Sequence, residues 1–304
     1  AEFWDGRISA VFDYYVKTTD DVLIDMSVPP SVGETTVRNN LGQMRNKGFE
    51  FDVTCLIVAT KAWRFSLKVN GDHNKNTILG ISNSLAKYNE EANADGSSAP
   101  KVLYKEGESK TAIYAVRSAG INPATGQEVF IKKNGAWTLE YDLNDKVVVG
   151  DKSPWLKGAF FPMLSYKGWQ LNLAFEYNFG GQIYNTTRAD NVENVNPRNN
   201  VDQRAFDQRW KNVNDIPPYL DIANASDRTN YHTTRFVEDD NNVICRNIEL
   251  SYEFNPDLLK KIGFKRLRLS AGMKDPFRMS SVKFERGTDY PFSRGFTFSV
   301  SPTF

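Results

Sequence analysis

Cysteine and histidine are nearly missing from this sequence of 304 residues, which holds two of each. His73 and His232 stand far apart with no ligand spacing, which argues against a zinc site or a histidine-based catalytic centre. Cys55 and Cys245 fall in predicted strands, Cys55 on a face with apolar residues and Cys245 on a face with polar ones, so no disulfide is expected between them. No run approaches the roughly 18 apolar residues of a transmembrane helix. No leader peptide opens the sequence, so it is expected to be a mature chain or part of a longer one. Charge of one sign is lacking too: 38 Lys and Arg against 37 Asp and Glu leave +1, which gives nucleic acid no footprint to grip. Glycine-rich phosphate loops and nucleophile–base pairings are not found, so neither an enzyme nor a bound cofactor is expected.

What the sequence has in quantity is aromatic residues, 13% of the chain, set into strict alternation. In 165–181, "SYKGWQLNLAFEYNFGG", Trp169, Leu171, Leu173, Phe175, Tyr177 and Phe179 fall on one face. Gln170, Asn172, Ala174, Glu176 and Asn178 fall on the other, the period of two that marks a β-strand. The pattern recurs over residues 8–17, 49–57, 63–70, 155–166, 247–254, 266–274 and 296–304, giving about eight long strands and no convincing amphipathic helix. The run from Trp169 to Phe179 matches the about 9–11 residues that a tilted strand needs to cross a bilayer, and aromatics mark both of its ends. The six apolar residues of that run are therefore predicted to face lipid.

The connections discriminate further. Short ones (58–62, Lys167-Gly168, about 255–265) alternate with long polar ones (about 25–46, 77–154, 180–242, 275–293). An outer-membrane barrel keeps short turns at one rim and long loops at the other, whereas a soluble sandwich has no reason to. If residues 63–76 rise and 156–166 descend, no odd strand can lie between them. The β-like stretch Thr111–Gly120 and "GINPATGQEVFIKKNG" after it must then form a hairpin inside a long loop, with Asn122-Pro123 and Thr125-Gly126 as its turn.

Several segments together carry a resemblance: "WDGRISAVFDYYVKTTDDVL" (4–23), "VPPSVG" (28–33), "NLGQMRNKGFEFDV" (40–53), "NGDHNKNTI" (70–78), "AGINPATGQEVF" (119–130), "SYKGWQLNLAFEYNFGGQIYN" (165–185), "RNIELSYEFNPDLLKKIGFKRLRLSAG" (246–272) and "YPFSRGFTFSVSPTF" (290–304). In this order they resemble SusC/RagA-type TonB-dependent outer-membrane transporters along essentially the whole chain. The resemblance implies an all-β fold, an antiparallel transmembrane β-barrel segment of about eight strands out of about 22, with long extracellular loops. Residues 1–304 would form the C-terminal part of the barrel, with the plug and the TonB-contacting segment upstream. It also implies the outer membrane of a Gram-negative, Bacteroidetes-like bacterium, crossed many times. A SusD-like lipoprotein partner, a TonB complex reached through the upstream part, and import of oligosaccharides or peptides are implied as well. Phe304, after alternating aromatics, resembles the signal read by the outer-membrane assembly machinery. Three features depart from the pattern. Gly272-Met-Lys-Asp-Pro-Phe277 replaces the usual run near the last hairpin, Pro162 and Pro302 delete ladder donors and suggest bulges or strand ends, and Arg246 falls on the apolar face near a loop.

Five loop aromatics set among polar residues, Trp137, Tyr141, Trp155, Trp210 and Tyr219, are the candidate substrate contacts, against the plainer reading that they pin the loops or join an aromatic girdle. Two acidic clusters, Asp142/Asn144/Asp145 and Glu238/Asp239/Asp240/Asn241, lack the spacing of a calcium loop and read as turns, so no metal is expected. Two other functions stay open on the residues alone: a freestanding eight-stranded barrel acting as an adhesin or surface-binding module, and a soluble β-sandwich lectin. An eight-stranded barrel is filled by its own side chains and leaves no solute path.

Overall fold

The structure is a computed structural model that describes residues 1–27, 36–81, 83–94, 97, 99–196, 198, 201–224, 231–260, 263–283 and 294–304. The segment "VPPSVG" and most of the last long connection lie outside these residues. A short strand β1 (Glu2–Phe3) leads into β2 (Ile8–Ser27), β3 (Thr36–Ala59) and β4 (Trp63–Ile81). Helix α1 (Asn83–Ala94) follows, then β5 (Ala112–Ala115), β6 (Arg117–Ile121), β7 (Glu128–Ile131), β8 (Trp137–Thr138) and β9 (Val147–Asp151). Next come β10 (Leu156–Tyr166), β11 (Trp169–Tyr184), α2 (Thr186–Arg188) and α3 (Arg204–Asp207). The chain ends in β12 (Val237–Glu253), α4 (Pro256–Leu259), β13 (Arg266–Ser280) and β14 (Gly295–Thr303).

The main sheet is antiparallel in the order β1-β2-β3-β4-β10-β11-β12-β13-β14, so β4 joins β10 directly and the whole of β5–β9 is left out of it. This is what parity required. The turn Asn122–Gln127 closes a β6–β7 hairpin, with Asn122 N–H donating to the Gln127 carbonyl at 2.7 Å. Ala112–Ala115, however, pairs with β9 rather than joining that hairpin.

Register converts the alternation into two faces. One apolar row runs Ala10, Val53, Val69, Phe160, Phe175, Cys245, Phe277, and another runs Phe65, Leu164, Leu171, Leu250, Ala271, Phe298. A polar row on the opposite face runs Asp13, Glu50, Asp72, Lys157, Asn178, Asn242, Ser280. The apolar face carries aromatics at both rims. At the rim with short turns, Trp63 stacks on Tyr166 at 4.2 Å between ring centroids and Trp169 lies 4.8 Å from Tyr252. At the other rim, His73 stacks on Phe49 at 5.3 Å and Tyr177 on Phe179 at 5.6 Å.

Several expectations are corrected. The strands run well past the polar face changes that were read as loops: residues 18–27 pair with 36–45, and the third long connection shrinks because β11 reaches Tyr184 and β12 starts at Val237. Glu238, Asp239, Asp240 and Asn241 are therefore strand residues. Polar side chains on both faces hide a strand once it leaves the apolar band. A helix does exist, α1, whose Leu85 packs against Val22, Ile81, Tyr88 and Tyr104.

The third correction concerns Arg246. Register shifts between Cys245 and Asn247, and Asp275 on the neighbouring strand has a φ of 47°. This bulge turns Arg246 to the polar face, where it pairs with Glu176 at 2.7 Å and Asp275 at 3.0 Å. It also moves Cys245 to the apolar face, level with Phe175 and Phe277. Both cysteines thus lie on one face as free thiols, held apart by the strands β4, β10 and β11 between theirs. Residues 272–277 are part of β13 rather than a loop. Lastly, Pro162 makes no bulge: the β10–β11 ladder skips Phe161 and Pro162 and resumes in the same register, while Pro302 sits at a strand end as expected.

One packing detail locks β4 to β10. Gly71 faces Gly158, and the Phe51 and Tyr177 rings lie over this notch, with Tyr177 Oη donating to the Asn70 carbonyl at 2.9 Å. A Cβ on Gly158 would stand 2.7 Å from Gly71 Cα and 2.8 Å from Tyr177 Oη. Gly158→Ala is therefore expected to cost about 1–3 kcal/mol by overpacking, seen as a lower urea midpoint for the whole protein in detergent micelles. Gly80→Ala, whose Cβ meets nothing within 4 Å, is expected to leave the midpoint unchanged.

Candidate functional site

The polar face offers a wall of charges and amides. Asp13, Glu50 and Asp72 stand side by side in register with Asp52 one row away, around a hollow of about 330 Å³. Two of the four carboxylates are paired, Lys68 with Asp52 at 2.8 Å and Lys157 with Asp72 at 3.6 Å. These exposed pairs are each worth about 0–1 kcal/mol and leave the wall solvated. Nearer the short-turn rim, Arg268 donates to Ser251 Oγ at 2.9 Å and to Glu249 at 3.3 Å beside a second hollow of about 540 Å³. Among the described residues no three His, Cys, Asp or Glu side chains gather closely enough to hold a metal ion.

Above the wall, the two longest connections fold into one cap. The polar-face alternation of β4 leads up to Asn76 and Ile78, both buried, and chain from the first connection docks there. Asn76 Oδ1 accepts from Lys110 N–H at 2.7 Å, and Ile78 N–H donates to the Glu108 carbonyl at 2.9 Å. The cap therefore covers the polar side of the sheet. Its core is Ile113, Tyr184, Ala189, Val192, Val195, Ala205, Tyr219 and Phe236, drawn from both connections.

Buried charge joins the two connections. Arg235, from the second, bonds Glu128 of β7 at 2.9 Å and Glu193 at 2.5 Å, and both carboxylate side chains are 2% exposed. Burial opposes the Arg235 charge, but the two glutamates outweigh it and hold its pKa above the ordinary arginine value. Arg209 is buried beside them and donates to the carbonyls of Ala205, Leu220, Val192 and Glu193. Within this cluster two arginines stand against two glutamates, so their charges cancel. Arg188 adds a pair with Glu238 at 2.5 Å and a bond to Tyr219 Oη at 3.0 Å. None of this was visible in the sequence, because Glu128 and Arg235 are separated by 107 positions and no local pattern links them.

The structure distributes the five candidate aromatics among different roles. Tyr219 is inside the cap core. Trp210 lies against Gly126, with its indole N–H donating to the Pro123 carbonyl at 2.8 Å, and so fastens the β6–β7 hairpin to the second connection. Tyr141 stacks on Tyr231 at 4.1 Å and accepts from His232 N–H; burial pushes its pKa up to about 12. Trp155 sits at the apolar face's upper rim, 5.5 Å from His73, whose Nδ1 lies 2.5 Å from the Trp155 carbonyl oxygen. Trp137 alone of the five is nearly free, 73% exposed at the edge of the β6-β7-β8 sheet. These five do not converge on one pocket.

Removing one partner of a buried pair strands the other's charge, at a cost of about 3–5 kcal/mol. Arg235→Ala is expected to loosen the cap, read as faster proteolysis of residues 82–236 in the whole protein while the barrel keeps its heat-resistant gel mobility. Arg235→Met combined with Glu128→Gln, which removes one charge of each sign and leaves Arg209 beside Glu193, is expected to recover part of the protection.

Comparisons with known proteins agree with this geometry. Residues 1–195 match the family model described as TonB dependent receptor-like, beta-barrel. TonB-dependent receptor P39 of Formosa agariphila is 26% identical over 91% of this chain and 30% of its own length. TonB-dependent receptor SusC of Bacteroides thetaiotaomicron is 23% identical over 97% of the chain and 30% of its own length. A solved structure of the RagAB peptide transporter superimposes with a TM-score of 0.77 at 20% identity, over 99% of this chain and 34% of that one. The chain thus spans about a third of the length of these relatives. It belongs to the TonB-dependent receptor-like β-barrel family, as a stretch of barrel wall.

Proposed function

We propose that this chain is the wall and part of the outer mouth of an outer-membrane importer energised through TonB. The observation that carries the reading is the division of one long sheet into an apolar face with aromatic rims and a charged, amide-bearing face roofed by a folded cap. On this reading Trp169, Leu171, Leu173, Phe175, Tyr177 and Phe179 meet hydrocarbon, with the backbone of the run paired to β10 and β12 along most of its length. The opposite face lines the lumen, where Asp13, Glu50, Asp52 and Asp72 present a hydrated surface to a plug and to passing solute. Exposed Phe304, after alternating aromatics, is the residue proposed for recognition by the barrel assembly machinery.

The substrates proposed are oligosaccharides or peptides, captured with a SusD-like surface lipoprotein that seats on the cap. The relatives named SusC and RagAB support this assignment of class and partner. Trp137 is the cap aromatic free to stack on a sugar ring or an apolar side chain. The freestanding adhesin is the weaker reading: among the described residues β14 pairs only with β13, so the sheet order is open, as suits part of a larger barrel.

The test is uptake by cells that hold the whole transporter as their only route, offered a fluorescent oligosaccharide mixture or a fluorescent peptide mixture. One mixture is expected to be taken up, and deleting TonB is expected to abolish that uptake. Uptake that survives loss of TonB contradicts the proposal. Trp137→Ala is expected to weaken capture by roughly two- to tenfold, the range of one aromatic contact.

A further inference from the structure

The outer, apolar side of the β2–β3–β4 region changes character abruptly at its upper rim. Tyr14, Phe49 and His73 form one row across the three strands. The next row on the same face is Val16, Lys47 and Lys75, and the one above is Thr18, Arg45 and Thr77. No register shift interrupts these rows, so each lies about 7 Å above the last. Lys47 and Lys75 are directly paired in the ladder and both are exposed, as is Arg45. Directly opposite like charges have Cβ atoms about 4.5–5.5 Å apart and destabilise a sheet. No ion pair with a described carboxylate relieves them; Asp20, higher on the same hairpin, accepts from Gln43 at 2.6 Å instead.

We propose that Arg45, Lys47 and Lys75 form a binding site for the phosphate-bearing headgroup of an anionic membrane lipid. This rests on the reading of the apolar face as lipid-facing. Three cations stand one to two rows beyond an aromatic rim, the height at which headgroup phosphates follow the hydrocarbon boundary. A phosphate between Lys47 and Lys75 removes the repulsion that the fold leaves in place. Directly below, exposed Phe12 and Tyr14 offer an apolar track for an acyl chain. That second element selects a lipid over a free phosphate, which gains nothing from it. The opposite side of the same strands carries Lys17, Asn46, Asn74 and Asn76 at this height, so the concentration of unrelieved cations is specific to the outer side.

The experiment uses the whole transporter in detergent micelles and counts retained lipid by native mass spectrometry, with phosphatidylglycerol and phosphatidylcholine of matched chain length as probes. The natural protein is expected to prefer phosphatidylglycerol. The triple variant Arg45→Gln, Lys47→Gln, Lys75→Gln is expected to weaken that binding at least about tenfold, leaving phosphatidylcholine unchanged. Lys17→Gln, at the same height on the opposite face, is expected to change neither, and unaltered heat-resistant gel mobility shows that each variant is folded. Phosphatidylglycerol binding untouched by the triple variant overturns the proposal. So does displacement of the lipid by millimolar inorganic phosphate, which marks a site for a soluble anion. A fluorophore on Leu171→Cys, tested against brominated acyl chains in the same samples, separates the two readings. Quenching without phosphatidylglycerol preference sinks this inference and leaves the lipid-facing assignment standing, whereas no quenching sinks both.

Discussion

A backbone that crosses hydrocarbon must pair every N–H and C=O within itself, because no water is there to take them. An antiparallel sheet meets that demand only if each strand finds a neighbour on both sides in a register that keeps one face apolar. The rest of the structure depends on this constraint. It explains why β4 leaps past five short strands to pair with β10, and why chain neighbours otherwise pair in order. It also explains why Gly71 and Gly158 meet under the Phe51 and Tyr177 rings: the ladder there must close without a gap.

Where the strands leave the apolar band, the constraint lifts and a different chemistry takes over. The strands continue as ordinary water-exposed β-structure, and the connections between them collapse into a cap with its own small core. A core of that size needs reinforcement, and the Arg235–Glu128–Glu193 cluster with Arg209 supplies it across two connections far apart in sequence. The outcome is a mouth held by buried, direction-specific contacts above a wall that is solvated and weakly paired. Under the proposed function, the shaped rim would recognise solute and the hydrated wall would let solute and plug move past.

Much of the barrel was legible because period-two alternation is a strong signal wherever one face is uniformly apolar, as from Trp169 to Phe179. It failed at Arg246, where a bulge inverts the faces of two residues; alternation read from either side of such a point is internally consistent, and only the partner strand shows the slip. It failed again at strand ends such as 36–45 and 237–241, because polar residues on both faces erase the period. The cap was illegible for another reason. Its stabilising contacts, from Glu128 to Arg235 or from Pro123 to Trp210, join positions that no local pattern relates. Of the aromatics singled out in the connections, Tyr219, Trp210 and Tyr141 stand in packing positions, which composition alone cannot separate from a binding surface.

The central claim is that the two faces of this sheet meet different solvents. Its most direct test is a spin-label scan of every position from 169 to 179, in the whole transporter reconstituted into lipid bilayers. Collision rates with oxygen, which concentrates in hydrocarbon, and with a water-soluble nickel chelate are measured at each site. The account predicts that oxygen accessibility peaks at the odd positions while the chelate never does, the even positions reading as lumen or plug contact. Oxygen and chelate accessibilities that rise and fall together along the strand would contradict it.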